Sequence, residues 1–270
     1  MKCLFLSILY FALFCYSITC KALDVYRFVD SRAYSMGNTV SVLPGFSNPA
    51  SCAFLVSNKV SVQYMNRYGV KELATYTGSV NYLNDYLNVG LQFSRFGYKE
   101  YNEMLISSNL YRKLNHYISF GIRLNYLSWY YSEESHNKSV ITGDIGLLVR
   151  PMDNLNVSVL AVNPLQTEVE IGGEKEELPV VLSVGISYEI EKCLLLTAEV
   201  EKDFSYDPIY KCGLEYTPVR YLSVRAGMFA KPFTPTFGIG VHLYAFNLDL
   251  AFSKHPNLGY NSCCALQYNF

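Results

Sequence analysis

Leu87-Asn88-Val89-Gly90-Leu91-Gln92-Phe93 places a large apolar side chain at every second position and a small or polar residue between. A period of two sends successive side chains to opposite faces of a strand, so this stretch reads as a sheet with one apolar and one polar face. The same pattern recurs in both directions along the chain. Val180, Leu182, Val184, Ile186 and Tyr188 alternate with Val181, Ser183, Gly185 and Ser187. Leu194, Leu196, Ala198 and Val200 alternate with Leu195, Thr197 and Glu199, and Phe237, Ile239, Val241 and Leu243 with Gly238, Gly240 and His242.

Fourteen such segments are expected, at 58–67, 72–82, 86–96, 103–113, 116–130, 139–150, 154–163, 179–190, 193–203, 208–217, 220–230, 234–244, 246–254 and 260–270. Most are near the roughly 9–11 residues that a tilted strand needs to cross a bilayer. The connections sort into two classes. Asn84-Asp85, Leu114-Asn115, Pro151 to Asp153, Glu191-Lys192, Pro218-Val219 and Ala245 are tight, whereas Tyr131 to Ser139, Pro164 to Leu178, Phe204 to Asp207, Lys231 to Phe233 and His255 to Gly259 are longer. Short turns at one end and longer loops at the other, with an even strand number, are the pattern of an outer-membrane barrel. The expected fold is therefore all-β, a 14-stranded antiparallel transmembrane β-barrel. A soluble sandwich would show more charge on its polar face, which here is rich in Gly and Asn. Tyr86, Tyr117, Tyr130, Tyr221 and Phe246 at strand ends suit aromatic girdles.

Composition agrees with this. Of 270 residues, 50% are hydrophobic and 17% charged, with 24 Tyr and 16 Phe. The net charge of −1 argues against nucleic acid as a partner. Met1-Lys2, the apolar run Cys3 to Cys15 and the more polar Tyr16 to Ala22 read as a signal peptide over residues 1–22, cleaved after Ala22 or, as second choice, after Cys20. Its apolar run is short for a spanning helix, which needs roughly 20 residues. Residues 23–57 break the alternation. Asp30 to Gly37 suit a short helix, Val40 to Val42 a short strand, and Leu43-Pro44-Gly45 and Ser47 to Ser51 turns. This segment fits a hatch inside the barrel formed by residues 58–270, or a periplasmic extension.

The candidate functional residues lie mainly in the lumen. Parity turns Arg123, Asp144, Arg150, Glu189, Glu199, Glu201, Lys211, Glu215, Arg225 and Asp249 inward. Opposite signs on neighbouring strands suggest a network that fills the lumen, in preference to an open permeation path. No catalytic constellation stands out: His116, His136, His242 and His255 have no metal-ligand spacing, so neither enzymatic activity nor a metal or cofactor is expected. After the leader the cysteines are Cys52, Cys193, Cys212, Cys263 and Cys264, an odd number without framework spacing, expected as free thiols. The acidic stretch Glu168 to Glu177, with Gly172-Gly173 at its tip, reads as a solvated loop. Cys264, Leu266, Tyr268 and Phe270 share a face of the last strand. A terminal aromatic at Phe270, preceded by Tyr268, resembles the signal read by the outer-membrane assembly machinery.

Two end segments carry a family resemblance. Arg32-Ala33-Tyr34-Ser35-Met36-Gly37 followed by Asn48-Pro49-Ala50 resembles the start of FadL-like outer-membrane barrels. Lys254-His255-Pro256-Asn257-Leu258-Gly259-Tyr260, leading to a strand that ends Tyr268-Asn269-Phe270, resembles the ending of the PorV/PorQ branch, as does Leu178-Pro179-Val180 after the acidic loop. The resemblance implies a fourteen-stranded barrel with an N-terminal hatch, the hatch signature being Arg32, Ala33, Gly37, Asn48, Pro49 and Ala50 and the last-loop signature His255, Pro256, Leu258 and Gly259. It also implies a non-enzymatic accessory role in protein secretion or surface assembly through the type IX system, or alternatively passive transport of hydrophobic small molecules. The expected location is the bacterial outer membrane. The expected partners are its lipid, its assembly machinery, and secretion-system proteins or cargo. The chain is short for that family and its outer loops are small.

Overall fold

Strands with one apolar and one polar face can hide neither face alone. Closing the sheet on itself turns the polar face inward and leaves no unpaired edge. The computed structural model, which describes residues 30–132, 138–171, 174–230 and 232–270, has this form. Fourteen strands close the barrel: β1 (Lys59–Asn66), β2 (Ala74–Tyr82), β3 (Asn88–Gly97), β4 (Tyr101–Lys113), β5 (Ile118–Tyr131), β6 (Lys138–Met152), β7 (Leu155–Val162), β10 (Val181–Ile190), β11 (Leu194–Asp203), β12 (Ile209–Val219), β13 (Leu222–Phe229), β14 (Thr234–Leu243), β15 (Phe246–His255) and β16 (Gly259–Asn269). All pairs are antiparallel, and the barrel shuts where β1 meets β16, from Lys59↔Asn269 to Asn66↔Ser262. No strand end departs from the sequence reading by more than two residues.

The acidic loop departs from expectation. Residues expected as a plain loop form a separate hairpin, β8 (Glu168–Ile171) on β9 (Glu174–Glu177), and β7 pairs with β10 across its base. Val169 and Leu178 at that base are buried, so an apolar anchor supplies the stability that the acidic composition concealed.

The outer wall is apolar along every strand. Val60 and Val62, Leu91 and Phe93, Ile122 and Leu124, Leu182, Val184 and Ile186, and Phe237 and Ile239 are exposed large hydrophobics. Their inward neighbours are buried polar or small residues, among them Gln92, Ser107, Asn109, Arg123, Asn125, Ser183 and Glu199. Both ends of the barrel sequence lie at the short-turn end, where the Phe270 N–H donates to the Asn58 carbonyl at 3.0 Å. The tight turn there at Glu191 and Lys192 has both residues at positive φ (51° and 56°), the twist that joins antiparallel strands in a two-residue link. Pairing shifts register beside two of these turns, between Val149/Met152 and Tyr216/Val219. Among the described residues no helix is long and apolar enough to cross a membrane.

Residues 30–57 fold into the lumen. Asp30 caps the short helix α1 (Ser31–Ser35), its Oδ1 accepting from the Arg32 and Ala33 N–H groups at 2.9 and 3.2 Å. A 3-10 turn follows at Ser51–Phe54. Val40 to Val42 form turns where a short strand was expected: they pack on Ala33, Met36 and Leu43 of their own segment and on Leu195 of the wall, whose strands are already paired on both sides and offer no edge. The leader and residues 23–29 lie outside the described residues.

Candidate functional site: an occupied lumen

A polar segment inside a barrel must exchange its water for wall groups, one for one. The wall supplies most of them, Asn38 Oδ1 being buried without a partner. Arg32 forks onto Glu215, its Nε donating to Oε2 at 2.8 Å and its second guanidinium nitrogen to Oε1 at 2.5 Å. Arg225 spans Glu215 and Asp249, at 2.5 Å to each. The Ser31 N–H donates to Gln63 and its hydroxyl to the Asp249 carbonyl. Tyr34 shares a 2.6 Å hydrogen bond with Ser253, and Thr39 one of 2.9 Å with Thr197. Glu199 accepts both the N–H and the hydroxyl of Ser41 at 2.7 Å. Lys211 donates to Glu199, to Glu201 and to the Asn38 carbonyl. Arg123 donates to Asp144 at 2.6 Å and to the Phe46 carbonyl at 2.8 Å. Every lumen charge named from parity faces inward, and Arg123, Lys211, Arg225, Glu199, Glu201, Glu215 and Asp249 are all buried. Arg150 donates to Asn156 and lies 3.9 Å over the Phe54 ring, and Glu189 lines the vestibule at the short-turn end.

The signature residues of the N-terminal segment are contact points. Asn48 donates to the Ser41 carbonyl at 2.6 Å while its Oδ1 accepts from Ala50, which folds Asn48-Pro49-Ala50 into a tight corner. The Ala50 carbonyl accepts from Ser119 on β5. Ala33 packs with Met36, Val40, Val42 and Leu43. Gly37 has φ +70°, donates its N–H to Thr236, and has the backbone of Cys212 and Met228 where a Cβ would stand. Cys52 is fully buried, its thiol donating to the Gly45 carbonyl at 2.8 Å, and burial pushes that thiol up to about 12.

The wall is shaped to receive this segment, which the sequence reading missed. At Gly146 a Cβ would strike Asn48 Oδ1 and Ala50 N, and at Gly213 the Met36 backbone. Gly121, Gly185, Gly227 and Gly238 continue the belt, each abutting residues 35–50. Glycine on the inner face of so many strands is the one signal that could have pointed to a close backbone approach.

The last-loop signature makes a turn. His255 Nδ1 accepts from the Asn257 and Leu258 N–H groups at 3.3 and 3.2 Å, its ring meets Tyr68 edge-on, and Gly259 takes φ +108°, a conformation that only glycine adopts freely. Pro256 lies between His255 and this turn. At the chain end Tyr268 and Phe270 stack at 5.9 Å on the outer wall.

The lumen changes character along its axis. At the short-turn end a polar cavity of about 480 Å3 is lined by Asp30, Arg32, Lys59, Lys192 and Asp249 among others. At the loop end, inward-facing Leu105, Leu127, Trp129, Leu160, Val162 and Val181 form an apolar cluster on which Val169 and Leu178 of the hairpin base sit. The alternation signalled this too: in Leu124 to Tyr130 the inward positions turn from Asn125 to Leu127 and Trp129. Asn163 (φ +49°) joins the hairpin base to the ion pair below. Its N–H donates to Asp144, its side-chain amide to the Leu178 carbonyl, and its Oδ1 accepts from Thr167.

No family model matches the chain, and no curated protein does. Solved structures match in fold. A ΔS2S3 mutant of the monoaromatic hydrocarbon channel TodX superposes with a TM-score of 0.68 at 12% identity, covering 92% of this chain and 100% of that one. The Pseudomonas putida toluene transporter TodX gives 0.64 at 13% identity, covering 92% and 99%. A Pseudomonas aeruginosa FadL homologue gives 0.61 at 12% identity, covering 90% and 98%. The chain shares the fold of these FadL-like barrels. That bears out the broader resemblance seen in the sequence, whereas no match distinguishes the PorV/PorQ branch.

Proposed function

We propose that the protein is an integral barrel of a bacterial outer membrane that passes small apolar molecules, taking them up at its loop end. The observation that carries this is the lumen lining there. A barrel interior that meets water is polar, and here most of the wall that the N-terminal segment touches is polar or glycine, with small apolar contacts such as Tyr34 on Met65, Ala251 and Cys263. Yet the loop end presents Leu105, Leu127, Trp129, Leu160, Val162 and Val181 inward. Apolar side chains turned into a lumen offer an uncharged solute a place to leave water, at roughly 25 cal/mol per Å2 removed. The shared fold with hydrocarbon channels supports the same reading. The exposed apolar wall and the short-turn/long-loop asymmetry support the membrane placement, with the loop end outward.

Trp129 is the only tryptophan in the chain and lies in this cluster, so its emission reports directly. Toluene titrated into the detergent-purified protein should change it saturably, and Leu127→Gln should abolish the response. An emission that is flat or non-saturable with toluene refutes the reading.

The accessory role in secretion rests on the last-loop resemblance. His255 and Gly259 there are accounted for by the turn they make, so this reading comes second. Recovery of secretion components in a pull-down from native membranes, together with unchanged apolar-solute uptake in a deletion strain, would reverse the order.

A further inference from the structure

Outside the lumen, the barrel wall carries an indentation at the loop end whose chemistry differs from the apolar band around it. A groove of about 520 Å3 is lined by Arg95, Tyr98, Lys99, Asn102, Met104, Ser128 and Tyr130. The register runs Arg95↔Met104↔Ser128↔Ser139 across β3 to β6, so one row on the outer wall holds a guanidinium, a thioether and two small hydroxyls. The small Ser128 between Met104 and the exposed Tyr130 makes the depression.

Arg95 points outward and is exposed, as is Lys99 on the turn above it. Neither side chain has an ion-pair or hydrogen-bond partner among the described residues, and Glu100 on the same turn does not line the groove. Two other lysines at this end are engaged locally: Lys202 donates to the Tyr206 carbonyl and Lys254 lies over the Tyr260 ring. An arginine on the lipid face is costly at the bilayer midplane but nearly cost-free near the interface. Arg95 sits one outward-facing residue from the end of β3, which the proposed membrane placement puts at headgroup depth, where a cation is tolerated. Two unpaired cations at that depth select an anion, and a guanidinium fork with an adjacent ammonium matches phosphate oxygens. Tyr98, Asn102, Ser128 and Tyr130 add neutral donors around it, as a sugar-bearing headgroup would require.

We propose that this groove binds the phosphorylated headgroup of a glycolipid of the outer leaflet, with Arg95 and Lys99 holding a phosphate and Tyr98 and Tyr130 flanking the sugar. The site rests on the membrane placement proposed above but not on apolar transport, which uses the opposite face of these strands.

The test uses the full-length protein in detergent, with native mass spectrometry and thermal unfolding as readouts. The probes are bisphosphorylated lipid A, the same lipid with its phosphates removed, and inorganic phosphate. The wild type should retain bisphosphorylated lipid A as a discrete adduct and unfold at higher temperature with it. The dephosphorylated lipid should do neither. Arg95→Gln/Lys99→Gln should weaken retention roughly tenfold or more, while the toluene response at Trp129 stays as in the wild type. Equal retention of the two lipids, or a double variant that binds as the wild type does, overturns the site. A thermal shift that inorganic phosphate alone reproduces overturns the lipid as its occupant.

Discussion

Gly146→Val tests whether the N-terminal segment is seated on the wall. A Cβ at Gly146 would collide with Asn48 Oδ1 and stand 3.0 Å from the Ala50 nitrogen. Overpacking of this kind costs about 1–3 kcal/mol. The collision also breaks the corner in which Asn48 donates to Ser41 at 2.6 Å and accepts from Ala50 at 3.0 Å, at about 1 kcal/mol per bond. A local destabilisation of about 3–5 kcal/mol raises the displaced population by roughly two to four powers of ten. Cys52, two residues beyond Ala50, reports it. With its thiol pushed up to about 12 by burial, only about one molecule in ten thousand carries the reactive thiolate at pH 8, whereas a released thiol near pKa 8.5 is roughly one-quarter thiolate. Alkylation resolved by peptide mass spectrometry should therefore show Cys52 inert in the wild type. In Gly146→Val it should react about a hundredfold faster or more, in a barrel that still migrates as folded on an unheated gel. Gly78→Val, where a Cβ meets nothing within 4 Å, should leave the rate unchanged. If Cys52 labels equally in all three proteins while the barrel is intact, the segment is not held where its contacts place it.

Other expectations follow from the same contacts. Arg123→Met leaves Asp144 buried without its cation and should cost about 3–5 kcal/mol in denaturant unfolding, part of which Asp144→Leu in the same chain should restore. Asn163→Ala removes two side-chain hydrogen bonds to the hairpin base, so the Thr167 and Leu178 amides should exchange with solvent roughly tenfold to a hundredfold faster, with barrel amides unaffected. Deleting Phe270 removes the ring stacked on Tyr268 and the hydrogen bond that joins the chain end to Asn58, and should lower the heat-modifiable, membrane-inserted fraction in cells.

The strands were legible because an apolar outer face and a polar inner face impose a period of two on each of them. The same period placed Arg123, Glu199, Lys211, Glu215 and Arg225 inward before any contact was known. It could not say what the inner face touches. That Gly146 makes room for Asn48, or Gly213 for Met36, is a meeting of residues far apart in the chain and has no local signature. Val40 to Val42 looked like a strand because burial favours the same residues, yet burial inside a barrel comes without a free edge to pair with. The hairpin at Glu168 to Glu177 was hidden for the converse reason. Its charges read as solvated loop, while the two residues that fix it, Val169 and Leu178, lie at its base and bury into the lumen.

A lumen held this way constrains how anything could pass. Strand pairing is continuous around the barrel, and even Pro235 in β14 faces Met228 in register. A solute that enters at Trp129 and leaves at the short-turn end must pass residues 30–57, which are tied to the wall by Arg32–Glu215, Ser41–Glu199 and Phe46–Arg123. On the proposed function, binding at the loop end and release past the N-terminal segment are separate steps, and displacement of that segment is expected to be the slower one. Gly146→Val acts on the second step alone, being across the Asn48 corner and not in the apolar cluster. It should raise toluene flux into proteoliposomes while the toluene titration of Trp129 emission keeps its wild-type midpoint. A variant whose Cys52 has become reactive but whose flux is unchanged would show that the path runs elsewhere than past the N-terminal segment.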